Sequence, residues 1–173
     1  MRGALVGFWR DRRGTSTVEF ALMFPLVLAW FILGAEVGIH QLRQTMFERG
    51  VDVVTRDLRL GEPTLQDPEE LRKAVCARTL VIANCMGDLT IDMTPVEVDT
   101  FAPAAEPIDC RDRTEEIKPV VNYDQGSSNE VMLLRFCVLY DPVFPNMGLG
   151  EIMPRAAGGG VPIYATTFYV NEP

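Results

Sequence analysis

The chain has 173 residues, of which 47% are hydrophobic and 23% charged, and its formal net charge is -8. That length suits a single domain, and the hydrophobic share is too high for a disordered chain. Residues 1–14 hold four arginines against Asp11, so the rest of the chain carries -11, an acidic balance that excludes nucleic acid as a partner.

The first segment, residues 1–14, is a basic leader. It runs into Arg12-Arg13-Gly14-Thr15-Ser16-Thr17-Val18-Glu19-Phe20 and then into the apolar stretch Ala21 to Ala35. Thr15 to Ala35 as a helix spans roughly 31 Å at about 1.5 Å per residue, enough to cross a bilayer. Arg2, Arg10, Arg12 and Arg13 lie before this span and Glu36 opens the far side, so the positive-inside rule places the leader in the cytoplasm. An ordinary secretory signal fits less well. Ala35 suits the last position before cleavage, but Leu33 fails the requirement for a small residue two places earlier.

Glu19 is the costly residue in this span. A carboxylate inside a membrane helix costs roughly 2.5–3.5 kcal/mol on insertion scales and marks a site that requires a partner. Pro25 removes one backbone donor and softens the helix. Gly34 and Gly38 form a small-x-x-x-small pair that lets another helix approach.

These residues resemble the N-terminal segment of type IV pilins and, more closely, the TadE/TadG-like proteins of the Tad (Flp) pilus system. The resemblance rests on Arg12-Arg13-Gly14, on Val18-Glu19-Phe20-Ala21, on Pro25 and on the ending Asn171-Glu172-Pro173. It implies that a membrane prepilin peptidase cuts between Gly14 and Thr15, leaving Glu19 as the fifth residue of the mature chain. It also implies that Glu19, Phe20 and Pro25 serve helix pairing during assembly, and that other pilins or pseudopilins and the assembly machinery are partners. The location implied is the inner membrane, single pass, with the C-terminal domain periplasmic or extracellular, or incorporated in a pilus.

After the span (residues 15–36), residues 37–61 turn amphipathic with no intervening turn signal. Ile39, Leu42, Met46, Val53 and Leu58, with Phe47 and Val54, recur at helical spacing. Arg43, Glu48, Arg49, Asp52, Arg56 and Asp57 supply the wet face. One helix is expected from Thr15 to Leu60, with Gly50 as a candidate bend and Gly61 and Pro63 as the stop.

Residues 62–173 form the extracytoplasmic domain. A helix over Pro68 to Ala83 is expected, N-capped by Asp67 and with Leu71, Val75 and Leu80 on its apolar stripe. Leu89, Ile91 and Met93 alternate with polar residues in a half-buried strand continued by Val96 and Val98, and Pro95 places it near a sheet edge. Thr100 to Asn129 reads as irregular surface, Glu130 to Tyr140 as a central strand, and Gly158 to Gly160 as slack before a strand over Val161 to Val170.

Cys76, Cys85, Cys110 and Cys137 all follow the span, in the compartment where disulfides persist. Three connectivities are open, and Cys76 with Cys85 and Cys110 with Cys137 is the pairing expected. Zinc is disfavoured because there is no C-x-x-C and the one histidine, His40, lies far from the cysteines in sequence. The expected fold is α+β and pilin-like: a long N-terminal transmembrane helix continuing into an amphipathic helix, then a small disulfide-stapled antiparallel sheet with a packed helix.

No catalytic constellation, cofactor motif or metal loop stands out. His40 is alone, Gly158 to Gly160 lacks the lysine of a phosphate loop, and Asp109, Asp112, Glu115 and Glu116 lack the rhythm of a calcium loop, so a solvated charged face is the simpler reading. Two function classes follow, both non-enzymatic. One is a minor pilin or pseudopilin acting in assembly or initiation of a Tad pilus. The other is a single-pass anchor carrying a binding or sensing domain, for which Glu19 would have no use.

Overall fold

The computed structural model describes residues 15–96, 108–115 and 120–171. The leader with Gly14, and Val98, Glu116, Glu172 and Pro173, lie outside the described residues. The elements in chain order are α1 (Thr15–Arg59), a 3-10 turn (Pro63–Gln66), α2 (Pro68–Arg78), α3 (Cys85–Asp88), β1 (Leu89–Val96), β2 (Val120–Tyr123), β3 (Val131–Tyr140), α4 (Leu149–Ile152) and β4 (Val161–Val170).

The 45-residue helix α1 continues through Pro25 and through Gly50. Gly61 ends this stretch with φ of +76°, the left-handed conformation that favours glycine after a helix. A Cβ on Gly50 would lie 2.9 Å from Thr79 Oγ1, so the glycine lets the end of α2 abut α1.

The sheet has four strands in the order β2-β1-β3-β4. β1 and β4 pair antiparallel with β3, while β2 runs parallel to β1, so the sheet is mixed rather than purely antiparallel. This corrects the expected edge position of β1 as well. Pro95 is nevertheless accommodated, because β2 pairs only with Ile91 to Met93 and the proline lies beyond that pairing, where no donor is required on that side.

One face of the sheet and the second half of α1 enclose the core. Phe47, Val51, Val54 and Leu58 of α1 meet Ile91, Met93, Leu134, Phe136, Ile163 and Tyr169, with Leu71 and Val75 of α2 closing one side. The buried stripe is rotated from the expected one: Leu42 and Val53 are exposed, while Val51 and Thr55 are buried. Helix α2 stops at Arg78 rather than Ala83, since Thr79 donates its N–H back to Cys76 O and the chain must reverse to bring Cys85 to Cys76. Leu80, expected on its stripe, is 80% exposed.

The opposite face holds a buried polar pair. Asp92 on β1 sits opposite Arg135 on β3 and accepts from Arg135 Nε at 2.9 Å and from Asn122 Nδ2 at 3.0 Å, so β1, β3 and the edge strand β2 are joined by one carboxylate. Gly158, Gly159 and Gly160 are a tight turn rather than slack, all with positive φ and closed by the Ala156 N–H to Gly160 O bond.

The four cysteines pair as Cys76–Cys85 and Cys110–Cys137, with Cα atoms 5.6 and 5.4 Å apart. The second bridge closes 27 residues of chain against nine for the first. Loop-closure entropy scales with the logarithm of that length, so removing Cys110–Cys137 should cost about 1 kcal/mol more than removing Cys76–Cys85, within an overall cost of about 2–5 kcal/mol per bridge. Denaturant unfolding of the paired Cys→Ser variants in detergent checks this; an equal or reversed order would contradict it.

Candidate functional site

Helix α1 divides sharply in its surroundings. Every residue from Ser16 to Phe31 is exposed, and the first buried one is Glu36, only 2% accessible. Eleven large apolar side chains between Val18 and Leu33 are exposed. At about 1.5–3 kcal/mol for burying each, they represent roughly 15–30 kcal/mol of uncovered surface, more than the net stability of a typical domain. This helix is long and apolar enough to cross a membrane.

Glu36 ends the uncovered half. Its Oε1 accepts from the Val143 N–H at 3.1 Å and its Oε2 from the Phe144 N–H at 3.2 Å. His40 and Arg43 follow at helical spacing on the same face. His40 Nδ1 lies 2.8 Å from the Tyr140 hydroxyl, while the Arg43 guanidinium lies 4.5 Å from the Tyr140 ring centroid and donates to Asp141 O at 3.1 Å. Burial pushes the Tyr140 phenol above its usual range, Arg43 opposing and Glu36 adding to that shift. Gln44 donates to Tyr164 O on β4, so the same stretch of α1 fastens both the end of β3 and the edge strand.

Of the residues singled out in the sequence, Thr15 is the first described residue of α1 and Glu19 is exposed within the apolar half, with no ion pair to any other described residue. Phe20 is exposed and its ring lies 5.2 Å from that of Phe24. At about 100° per residue, Phe20, Phe24, Phe31 and Gly38 share a face that lies away from Glu36 and Phe47. Nothing lies within 4 Å of a Cβ placed on Gly34 or Gly38.

A separate cleft of about 710 Å3 lies on the far side of the sheet, lined by Thr90, Asp109, Cys110, Arg111, Asp112, Glu115, Arg155 and Tyr164 among others. Asp112 and Arg155 in its lining are committed to structure. Asp112 accepts from the Thr114 N–H and hydroxyl, which holds its carboxyl below the usual range, and Arg155 donates to Pro145 O and Gly150 O. The flanking Arg113 bridges the buried Asp88 and the exposed Asp141, and those carboxylates raise its pKa. Among the described residues no group of three His, Cys, Asp or Glu side chains could hold a metal ion.

No protein-family model matches the chain, and neither a curated protein nor a solved structure matches it.

The residue that sequence reasoning passed over is Glu36. Its signal was present, as a single acid at the boundary between an apolar and an amphipathic helix, but its partners lie more than a hundred residues away. Glu36→Ala removes the charged acceptor of two part-buried backbone N–H groups, and a loss of about 1–3 kcal/mol in unfolding free energy is expected. The exposed Asp52→Ala, as a control, should change stability by no more than about 0.5 kcal/mol. Denaturant melts of both variants in one detergent make the comparison.

Proposed function

We propose that this chain is a TadE/TadG-like, pilin-type membrane protein, a minor pilin or pseudopilin that takes part in assembly or initiation of a Tad (Flp) pilus, with no catalytic activity of its own. The observation that carries the reading is Glu19 within the uncovered apolar half of α1. A plain anchor gains nothing from that carboxylate, whereas a chain that must set its height against neighbouring helices does.

In this reading Ser16 to Ala35 crosses the inner membrane, the leader stays cytoplasmic, and the disulfide-stapled domain lies outside. A prepilin peptidase removes residues 1–14, and the new α-amino group of Thr15 is the cation for Glu19, about one helical turn away in the same helix or offered by an adjacent one. Phe20, Phe24 and Phe31 give the neighbouring helix its contact, and Gly34 and Gly38 allow close approach. The domain's fastening at Glu36 supports this arrangement, because it leaves the exposed run Ser16 to Phe31 of α1 available to partners.

Glu19→Ala should therefore insert as well as the native chain, since a costly charge is removed, yet fail to co-purify with the assembly machinery. Glu19→Asp should lose less. Membrane fractionation followed by affinity capture separates the two effects, and a Glu19→Ala protein that supports native piliation would overturn the reading. Gly38→Leu supplies a second check: the melt of the domain should be unchanged, because the added side chain meets open space, while cross-linking to neighbouring spans should fall.

A further inference from the structure

Beside the point where α1 becomes covered, the connection between β3 and β4 reaches past Glu36 toward the apolar half of the helix. A Cβ on Gly148 would lie 3.0 Å from Leu33 Cδ2, so this connection extends to a residue about 4.5 Å below Glu36 along the helix axis. Leu33 belongs to the uncovered apolar stretch. Val143 to Gly150 carries no charged residue and Glu151 is the one charge up to Ile152, and Val143, Met147 and Ile152 are exposed at 48%, 53% and 75%.

The segment is also rigidly built. Its start is held by Glu36 through the Val143 and Phe144 N–H groups, and its middle is drawn together by Arg155, which donates to Pro145 O at 2.6 Å and Gly150 O at 3.2 Å. Gly150 is a glycine because a Cβ would run into Phe144 O. The Val143 and Phe144 N–H groups are thus spent on Glu36 and the Pro145 and Gly150 carbonyls on Arg155, while Met147 and Ile152 are turned outward beside the polar Asn146 and Glu151. That is the composition suited to the boundary between headgroups and acyl chains.

We infer that Val143–Ile152 rests in the membrane–water interface, with Met147 and Ile152 inserted among the lipids as a second membrane contact beside α1. The inference rests on the reading of Ser16 to Ala35 as a span, and it commits to lipid as the occupant because the segment sits at the height of Leu33. The consequence is mechanical. A span alone leaves the domain free to tilt about α1, whereas a span with a lateral foot in the interface fixes both the tilt and the rotation of the domain, and so the direction in which the Phe20 and Gly38 face of α1 is presented.

Tryptophan quenching in vesicles tests this on the full chain. With Trp9→Phe and Trp30→Phe removing the natural fluorophores, Met147→Trp, Ile152→Trp and, as a distant control, Leu80→Trp are each reconstituted into phosphatidylcholine–phosphatidylglycerol vesicles. The lipids are brominated near the headgroup end of the acyl chains. Leu80 follows Thr79, which packs against Gly50, about 21 Å along α1 from Glu36. A Trp9→Phe chain that keeps Trp30 reports the span itself, using lipids brominated deep in the chains.

Loss of most emission at Met147→Trp and Ile152→Trp, with Leu80→Trp unquenched, is the expected result. If Trp30 is quenched but Met147→Trp and Ile152→Trp behave like Leu80→Trp, the interfacial contact is overturned and the span stands. Emission from these two positions that is blue-shifted yet unquenched would overturn the contact in the same way, by placing a second protein chain over the segment. An unquenched Trp30 would overturn both.

Discussion

The carboxylate of Glu36, accepting from two backbone N–H groups of the β3–β4 connection, marks where α1 passes from one environment to another. Below it Ser16 to Phe31 is exposed, with Leu33 reached by the β3–β4 connection at Gly148; above it Phe47, Val51, Val54 and Leu58 are sealed against the sheet. The contact is strong for its size because it is charge-assisted and nearly excluded from water. It also has to be made, since a carboxylate buried without a partner would be costly. His40, Arg43 and Gln44 extend the same fastening up the helix, so the height of the domain on α1 is set over several turns by polar contacts, with the apolar core adding energy above them.

The domain itself combines a modest core with several cross-ties. Cys110–Cys137 pins the irregular segment around residues 108–115 to the middle of the central strand, and Arg113 holds the same segment to Asp88 and Asp141. On the same sheet face, Asp92 joins β1, β2 and β3 through Arg135 and Asn122. A buried ion pair of this kind adds less net stability than an apolar replacement often does, but it tolerates few alternative registers, and a strand slip would leave Asp92 unpaired in the interior. Short parallel pairing at β2 is weakly specified by its own four residues, and Asn122 supplies a specific contact there.

Much of this architecture is legible in the chain because its signals are local. The apolar run after Gly14, the long helix without a turn signal, the capped start of α2 at Asp67 and the strands over Val131–Tyr140 and Val161–Val170 each follow from patterns within a few residues. What is not legible depends on distant partners. Val120 to Tyr123 lies in a polar, proline-flanked stretch and becomes a strand only beside β1, and the end of α2 is decided by a bridge to Cys85 rather than by helix propensity. The buried face of α1 is turned toward Val51 because Gly50 must meet Thr79. Glu36 and Asp92 look like surface acids until Val143, Phe144 and Arg135 are brought to them. For Glu19 the local signal is clear, since no stretch of hydrophobic helix acquires a carboxylate for its own stability, yet the partner proposed for that charge is not fixed by any pattern along the chain.

The partner proposed for Glu19 is an α-amino group that exists only once residues 1–14 have been removed. Intact-mass measurement of the protein extracted from membranes of cells with an active prepilin peptidase therefore bears on the proposal most directly. A mass corresponding to a chain that begins at Thr15 is the predicted result, and a chain that still begins at Met1 would leave Glu19 without its cation and contradict the pilin-type pairing.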